Sequence, residues 1–343
     1  MQLYVQNPDV ISFFKSYLGN RKQQVLINGT YSSFGSIKHG VPQGSVLGPL
    51  LFCIFINDLP LCISNETVTL EMFADDTTVH SSDTDITIVN QGLQKSLHEI
   101  SNWCASNCMI INPIKTKSMV ITTRQKHQRA PLSLNLFINN KTIEQVTEHK
   151  ILGIKVDSQF KWLPHIESVC KKISRNLFLL STLRYYTDVN SRLLFYNAHI
   201  RSHIDYISTA WDGASHVHLK KLNSLHRRAV KLILPEPLLS TDQKLNTLGL
   251  LPLETHLKFN KLVLMFKVWN TNLPKLICDL FTKPNSPYST SRKDFYTPLP
   301  RIDTYKSSLS FSGTSVWNSL PPSLKSLPTL TSFKNNLLKY LQK

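Results

Sequence analysis

The sequence predicts an α+β fold, in which a mixed half of short strands and helices is followed, beyond Trp162, by a mostly helical half. Three observations lead there. Apolar residues alternate over Val68, Leu70 and Met72, and again over Leu132, Leu134, Leu136 and Ile138, which is the period of a strand covered on one face. Beyond Trp162 the period becomes helical: Ile166, Val169, Ile173, Leu177 and Leu180 form one stripe, and Leu219, Leu222, Leu225, Ala229 and Leu232 another. Turn pairs such as Gly19-Asn20, Asn28-Gly29 and Asn139-Asn140 cut the first half into short pieces. With 343 residues, 41% of them hydrophobic, the chain can bury a sizeable core divided among two or three domains.

In chain order, 11–17 reads as a short helix stopped by Gly19-Asn20, and 24–28 as a strand ending at Asn28-Gly29. The glycines and proline of Gly40-Val41-Pro42-Gln43-Gly44 predict a loop, and Pro49 suits the first turn of a buried helix over 50–56. Residues 68–80 predict a hairpin with Asp75-Asp76 at its turn. Leu93, Leu97, Ile100 and Trp103 or Cys104 fall at helical spacing. Strands are expected at 109–112, 119–122, 132–138 and 151–156, with a basic loop at 124–129. Residues 284–310, rich in Ser, Thr, Pro and Tyr, read as an extended connector, and 330–341 as a last helix.

The formal charge of +17 favours a polyanionic partner over a neutral metabolite. Its distribution is uneven: residues 1–160 hold 13 basic and 12 acidic side chains, whereas 161–343 hold 26 and 10. On the second half, Lys171, Lys172 and Arg175 flank one apolar stripe, and Lys220, Lys221, Arg227, Arg228 and Lys231 flank the other, which suits either phosphate contact or a solvated helix face. Six cysteines without a signal peptide read as reduced intracellular thiols. The longest apolar run, 50–56, is far below the roughly 20 residues that cross a bilayer, so no membrane-spanning segment is expected.

Two adjacent carboxylates in a tight turn can hold a hard cation such as Mg²⁺, which prefers oxygen ligands. Nucleotide polymerisation uses two such ions, so Asp75 and Asp76 are candidate ligands, although an ordinary polar turn contains the same pair. Because neighbouring strand residues point to opposite faces, one of them, Asp75, is expected to reach the metal directly.

Order and spacing add to this. GVPQGSVLGPLLF at 40–52 followed by FADD at 73–76 closely resembles motifs B and C of reverse transcriptases. WCASNCMIINPIKTK at 103–117 resembles the next motif, and HKILGIKVDSQFKW at 149–162 the primer-grip region. With FFKSYLGNRKQQVLING at 13–29 and SFSGTSVWNSLPPSL at 310–324, the whole resembles reverse transcriptases of retrotransposons lacking long terminal repeats, most like the jockey group.

The resemblance implies a partial polymerase palm, an antiparallel sheet with helices and the primer-grip region, in 1–162. It implies a helical, thumb-like basic region in 163–282, then a connector and carboxy-terminal helical segment in 283–343. Pro42, Gln43 and Gly44 would lie against template and incoming nucleotide, the glycine admitting close backbone approach and the amide offering a donor and an acceptor. Lys115, with Lys117 as the alternative, would face the triphosphate and protonate pyrophosphate. Phe73 is expected to pack in the core. The implied partners are an RNA template, a DNA primer and deoxynucleoside triphosphates, and the implied location is nuclear.

The family's first catalytic aspartate lies upstream of the segment resembling 13–29, and here only Asp9, in the turn-like Asn7-Pro8-Asp9, precedes it. The chain is therefore expected to be amino-terminally truncated, to lack the nucleotide-clamping fingers and any endonuclease domain, and to be inactive alone. The alternative is a non-catalytic nucleic-acid-binding protein derived from a retroelement. His199-x-x-x-His203 would share a helix face but lacks the glutamate of a zinc-protease motif, neither Cys104-x-x-x-Cys108 nor His216-x-His218 has the paired spacing of a zinc knuckle, and Trp211 and Trp317 sit in apolar surroundings that suit packing.

Overall fold

Asn7 starts the first helix: its side chain accepts the Asp9 N–H at 2.9 Å, Pro8 occupies the first helical position, and Asp9 lies in the turn where a negative charge meets the helix dipole. The turn-like Asn7-Pro8-Asp9 is thus a helix cap. α1 (Pro8–Leu18) ends at Gly19, where a β-carbon would lie 2.9 Å from the Lys15 carbonyl oxygen. The computed structural model describes residues 6–129, 132–283 and 294–342, and the chain divides into two compact units, 1–147 and 148–343.

In the first unit, β1 (Lys22–Gln23) pairs with β4 (Gly35–Ser36), and β2 (Leu26–Ile27) with β3 (Thr30–Tyr31). Asn28 and Gly29 both take positive φ, as a two-residue type I′ hairpin requires. The strand expected over 24–28 is interrupted at Gln24 and Val25, whose nitrogen donors go to Ser32 instead. α2 (Gly48–Ile56) buries Leu51 and Ile56 but exposes Leu50 and Phe55, so it is covered on one side and not the fully buried helix its composition suggests. A 3₁₀ turn at Leu59–Cys62 leads to β5 (Val68–Phe73) and β6 (Asp76–Ser81). Leu70, Met72 and Val79 pack with Ile56, Leu59, Ile100 and Cys104.

α3 (Ile86–Ser106) is capped by Asp85, whose carboxylate accepts the Thr87 N–H at 2.8 Å. Its buried stripe is Val89, Gly92, Ser96, Ile100 and Cys104, with Leu93, Leu97 and Trp103 at the edges. β7 (Lys117–Ser118) pairs in parallel with β10 (Glu144–Gln145), and β8 (Phe137–Ile138) pairs with β9 (Lys141–Thr142) across Asn139-Asn140. Residues 109–112 form no strand. Leu134, Leu136 and Ile138 do point inward in alternation, yet the ladder is short. The N–H groups of Leu134, Asn135 and Phe137 donate to the side chains of Gln145, Asn90 and Gln94 where a neighbouring strand would otherwise accept them. The expected basic loop is α4 (Arg124–Arg129), started by Thr123, whose hydroxyl accepts the Lys126 N–H.

The second unit opens with β11 (Glu148–Ile151) and β12 (Ile154–Asp157), a hairpin turned by Leu152 and Gly153, both at positive φ. Asp157 accepts the N–H groups of Gln159, Lys161 and Trp162 and leads into α5 (Leu163–Leu183). There follow α6 (Val189–Tyr196), a π turn at Asn197–Arg201, α7 (Ser202–Asp205), α8 (Ser208–Trp211), α9 (His216–Ile233) and α10 (Thr241–Thr247), the last with a capping box between Ser240 and Gln243. One core joins Ile173, Leu177 and Leu180 of α5 to Leu222, Val230 and Ile233 of α9, around Tyr196, Ile200 and Trp211.

α11 (Leu253–Trp269) and α12 (Lys275–Cys278) precede 284–293, the first part of the expected connector, which lies outside the described residues. The rest of the connector is helical over α13 (Asp303–Ser307) and the start of α14 (Leu309–Asn318). α15 (Pro322–Lys325) and α16 (Leu330–Leu341) complete the fold, the last at the bounds its periodicity predicts. A second core stacks Phe266 on Phe333 at 4.4 Å and includes Met265, Phe295 and Trp317. Among the described residues no helix is long and apolar enough to cross a membrane.

Three buried or half-buried polar clusters fasten the second unit. His226 lies between the Tyr196 hydroxyl (3.0 Å from Nδ1) and the Leu251 carbonyl (3.1 Å from Nε2). Asp205 accepts from His256, Asn260 and Arg201. Lys261 pairs with Asp212 at 2.8 Å and donates to Ser312.

Candidate functional site

The acidic turn is built by a regular ladder. β5 and β6 pair from Val68↔Ser81 to Phe73↔Asp76, leaving Ala74 and Asp75 as a two-residue loop. Ala74 takes φ +53, a conformation that costs a non-glycine residue about 1 kcal/mol and that a small side chain tolerates best. Asp75 therefore sits at the tip of the hairpin. Asp76 is the first residue of β6, on the same face as Phe73 and Thr78, because paired residues share a face. Both carboxylates are exposed. Phe73 is 68% exposed, which corrects the expectation that it packs in the core: the inward side of this hairpin belongs to Leu70, Met72 and Val79.

The pair offers carboxylate oxygens of the kind that hard divalent cations take as ligands, with waters or phosphates completing the shell. A two-metal centre needs a further acidic ligand. Among the described residues no group of three or more His, Cys, Asp and Glu side chains gathers.

The loop before α2 is shaped by Ser45. Its hydroxyl donates to the Pro42 carbonyl at 2.8 Å and accepts the Gly48 N–H at 3.0 Å, tying Pro42 to the helix start. Gly48 is buried, and a β-carbon there would lie 2.9 Å from both the Pro42 carbonyl oxygen and the Ser45 hydroxyl. Gly44 takes φ +75, Gln43 and Gly44 are exposed, and Pro42 is half-buried. Arg21 reaches this loop as well, donating to the Gly40 carbonyl and, through Nε, to Leu18 at 3.0 Å. Sequence reasoning missed Arg21 and Ser45, since neither belongs to a charged or acidic pattern.

Lys115 is exposed in a turn organised by Asn112, whose side chain accepts the Ile114 and Lys115 N–H groups. Lys117, the alternative, is engaged in an ion pair with Glu144 across the β7–β10 pairing. The acidic turn, the 42–44 loop and Lys115 all belong to the first unit.

The eight candidate cations belong to the second unit. Lys171, Lys172 and Arg175 on α5 and Lys220, Lys221, Arg228 and Lys231 on α9 are exposed opposite the buried stripes. Arg227 differs: it is half-buried and pairs with Asp242 at 3.0 Å. Trp211 and Trp317 are fully buried, Trp211 donating to the Tyr206 carbonyl at 3.1 Å, in accord with packing. Cys104 is buried and Cys108 exposed, and His216 pairs with Glu254. Burial pushes the His203 imidazole below its usual range, with the charges of Lys172 and His199 acting in the same direction.

Residues 5–156 match the family model described as reverse transcriptase (RNA-dependent DNA polymerase). The chain is similar to the RNA-directed DNA polymerase from mobile element jockey of Drosophila melanogaster, 27% identical over 239 residues, which are 67% of this chain and 25% of that protein. It is also similar to two proteins of the same fly. One is a probable RNA-directed DNA polymerase from transposon BS, at 30% over 163 residues (46% of this chain, 18% of the relative). The other is a probable RNA-directed DNA polymerase from transposon X-element, at 26% over 226 residues (64% and 24%). The chain thus spans about a quarter or less of the length of these relatives. The motif order and these matches make residues 5–156 similar to the reverse transcriptase family, and the chain is consistent with a jockey-like reverse transcriptase of retrotransposons without long terminal repeats.

Proposed function

We propose that the chain works as part of an RNA-directed DNA polymerase, extending a DNA primer on an RNA template with deoxynucleoside triphosphates in the nucleus. The observation that carries this reading is the exposed Asp75–Asp76 pair at the tip of a regular hairpin, downstream of the Ser45-braced 42–48 loop. Two bound Mg²⁺ ions would activate the primer hydroxyl and neutralise charge on the phosphates. Asp75 and Asp76 supply carboxylate oxygens to that site, Asp75 from the turn and Asp76 from the strand. Pro42, Gln43 and Gly44 present backbone and one amide to the template and the nucleotide base. Lys115 holds a proton at Nζ for the departing pyrophosphate. The cations of α5 and α9 neutralise backbone phosphates of template and primer.

Among the described residues no third acidic ligand gathers beside Asp75 and Asp76, and we propose that the chain alone incorporates no nucleotide. Fusion to an upstream family segment carrying the first aspartate should restore Mg²⁺-dependent incorporation on a primed RNA template, and Asp75→Ala should abolish it. Incorporation by the fused Asp75→Ala variant refutes the assignment, and incorporation by the unfused chain refutes its incompleteness while leaving the polymerase reading intact.

The exposed cations of α5 and α9 also support a second reading, a nucleic-acid-binding protein without catalysis. Binding then persists in an Asp75→Ala/Asp76→Ala variant of the chain and weakens steeply with salt, as release of condensed counterions requires. Salt-independent binding removes that reading.

A further inference from the structure

We propose that the outer face of α5 and the turn after it form a stacking platform for single-stranded nucleic acid, with Phe178, Tyr185 and Tyr186 as the base-contacting rings. The inference rests on the nucleic-acid reading above and deepens it by naming the strand form and the contacts. Lys171, Arg175, Phe178 and Thr182 recur at the spacing that keeps side chains on one helix face, opposite the buried Ile173, Leu177 and Leu180. The helical turn continues past the end of α5: the Tyr185 N–H donates to the Thr182 carbonyl at 3.3 Å and the Tyr186 N–H to the Leu183 carbonyl at 3.0 Å. Tyr185 therefore extends the same face. From Lys171 to Tyr185 the strip runs on the order of 20 Å.

The rings are unusually open for their size. Phe178 is 71% exposed, Tyr185 72% and Tyr186 83%, with Leu179 exposed next to Phe178 in the sequence. Isolated exposed apolar side chains are ordinary, but several together in one segment mark a contact surface. Tyr185 is also pre-ordered. The Arg184 guanidinium lies over its ring, 4.7 Å from the centroid, and donates to its hydroxyl at 2.7 Å, which occupies one face of the ring and leaves the other open. A ring already held in place loses less entropy when a base stacks on it.

Charge selects the occupant. Lys171, Lys172 and Arg175 accompany the rings, Glu167 and Asp188 bound the strip at its two ends, and the second half of the chain carries 26 basic against 10 acidic side chains. Cations that track a phosphate backbone, alternating with rings on which bases stack, are how proteins hold single strands without reading sequence. A duplex keeps its bases stacked on one another and offers these rings no free base face.

The test uses the whole chain and fluorescence anisotropy of two probes, a short unstructured oligouridylate and an RNA–DNA hybrid duplex of equal length. Stacking on an aromatic ring contributes enough that Tyr185→Ala/Tyr186→Ala should weaken oligouridylate binding about 10-fold or more. Hybrid binding should stay within about 3-fold, a change below 1 kcal/mol. Tyr185→Phe/Tyr186→Phe keeps the rings and loses only the hydroxyl bond to Arg184, so it should bind both probes within about 3-fold of the parent. Unchanged oligouridylate affinity in the alanine variant overturns the proposal while leaving the nucleic-acid reading intact, as does an equal loss on both probes. Binding of phosphatidylserine vesicles that the tyrosines control, with oligouridylate binding unaffected, overturns it in favour of a membrane surface. Failure of the parent chain to bind either nucleic acid defeats the underlying reading as well.

Discussion

His226 should make the second unit sensitive to mild acid. Its imidazole is 2% exposed on α9. The Leu251 carbonyl can only accept, so Nε2 carries the proton of the neutral ring and Nδ1 accepts from the Tyr196 hydroxyl. Burial, aided by the nearby charges of His256, Arg201 and Arg227 and opposed by the hydrogen bond to the Leu251 carbonyl, brings the imidazole down to about 4. The unfolded chain titrates near 6.5.

Between those values the unfolded state binds a proton that the folded state refuses, so this stability is present above pH about 6.5 and is lost as the pH falls toward 4. From pH about 7 to pH about 5 the loss works out to about 2 kcal/mol, at roughly 1.4 kcal/mol per unit. The assay is urea unfolding followed by the fluorescence of the buried Trp211 and Trp317, in the parent and in His226→Gln. His165 and His203 are likewise lowered by burial, so the informative quantity is the difference in pH slope between the two proteins. His226→Gln should be less stable at neutral pH yet lose about 2 kcal/mol less on acidification. Identical slopes refute the reasoning.

Three further outcomes are expected. Lys261→Met leaves Asp212, whose carboxyl burial already pushes up, without its partner in a dry site, and should cost about 3 kcal/mol or more in urea unfolding; a loss below 1 kcal/mol contradicts this. Gly48→Ala forces a β-carbon against the Pro42 carbonyl and the Ser45 hydroxyl, and should destabilise the first unit by about 1–3 kcal/mol while raising proteolytic cleavage in the 40–48 loop. Wild-type resistance to cleavage there would show that the loop yields without cost. Lys221→Ala should reduce the salt dependence of nucleic-acid binding by about one ion, whereas Arg227→Ala, already paired with Asp242, should change it less; equal effects would mean that the ion pair opens on binding.

What the sequence determined alone was whatever depends on local spacing. The 68–80 hairpin, the long helices α5 and α9 and the final helix over 330–341 follow from period, because a residue's face is fixed by its position along a strand or helix. The acidic turn and its neighbouring motifs carried the family for the same reason, being contiguous strings whose order survives without coordinates. Start signals were legible in principle too: Thr123 ahead of 124–129 marks a helix that a run of charged residues disguised as a loop.

Tertiary structure decided which side of each element is covered and which charged groups are already engaged. Phe73 looked like core, but its face of the hairpin leaves the ring 68% exposed, and α2, apolar all round, finds cover on only one side. Residues 132–138 show the right alternation without a long ladder, because their N–H groups were claimed by Asn90, Gln94 and Gln145 from elsewhere in the chain. Lys117 and Arg227 read like their neighbours until Glu144 and Asp242 came within ion-pair distance. Such partners lie 27 and 15 residues away along the chain. Their pairing depends on how separate elements dock, a property of the packed fold and not of any local window.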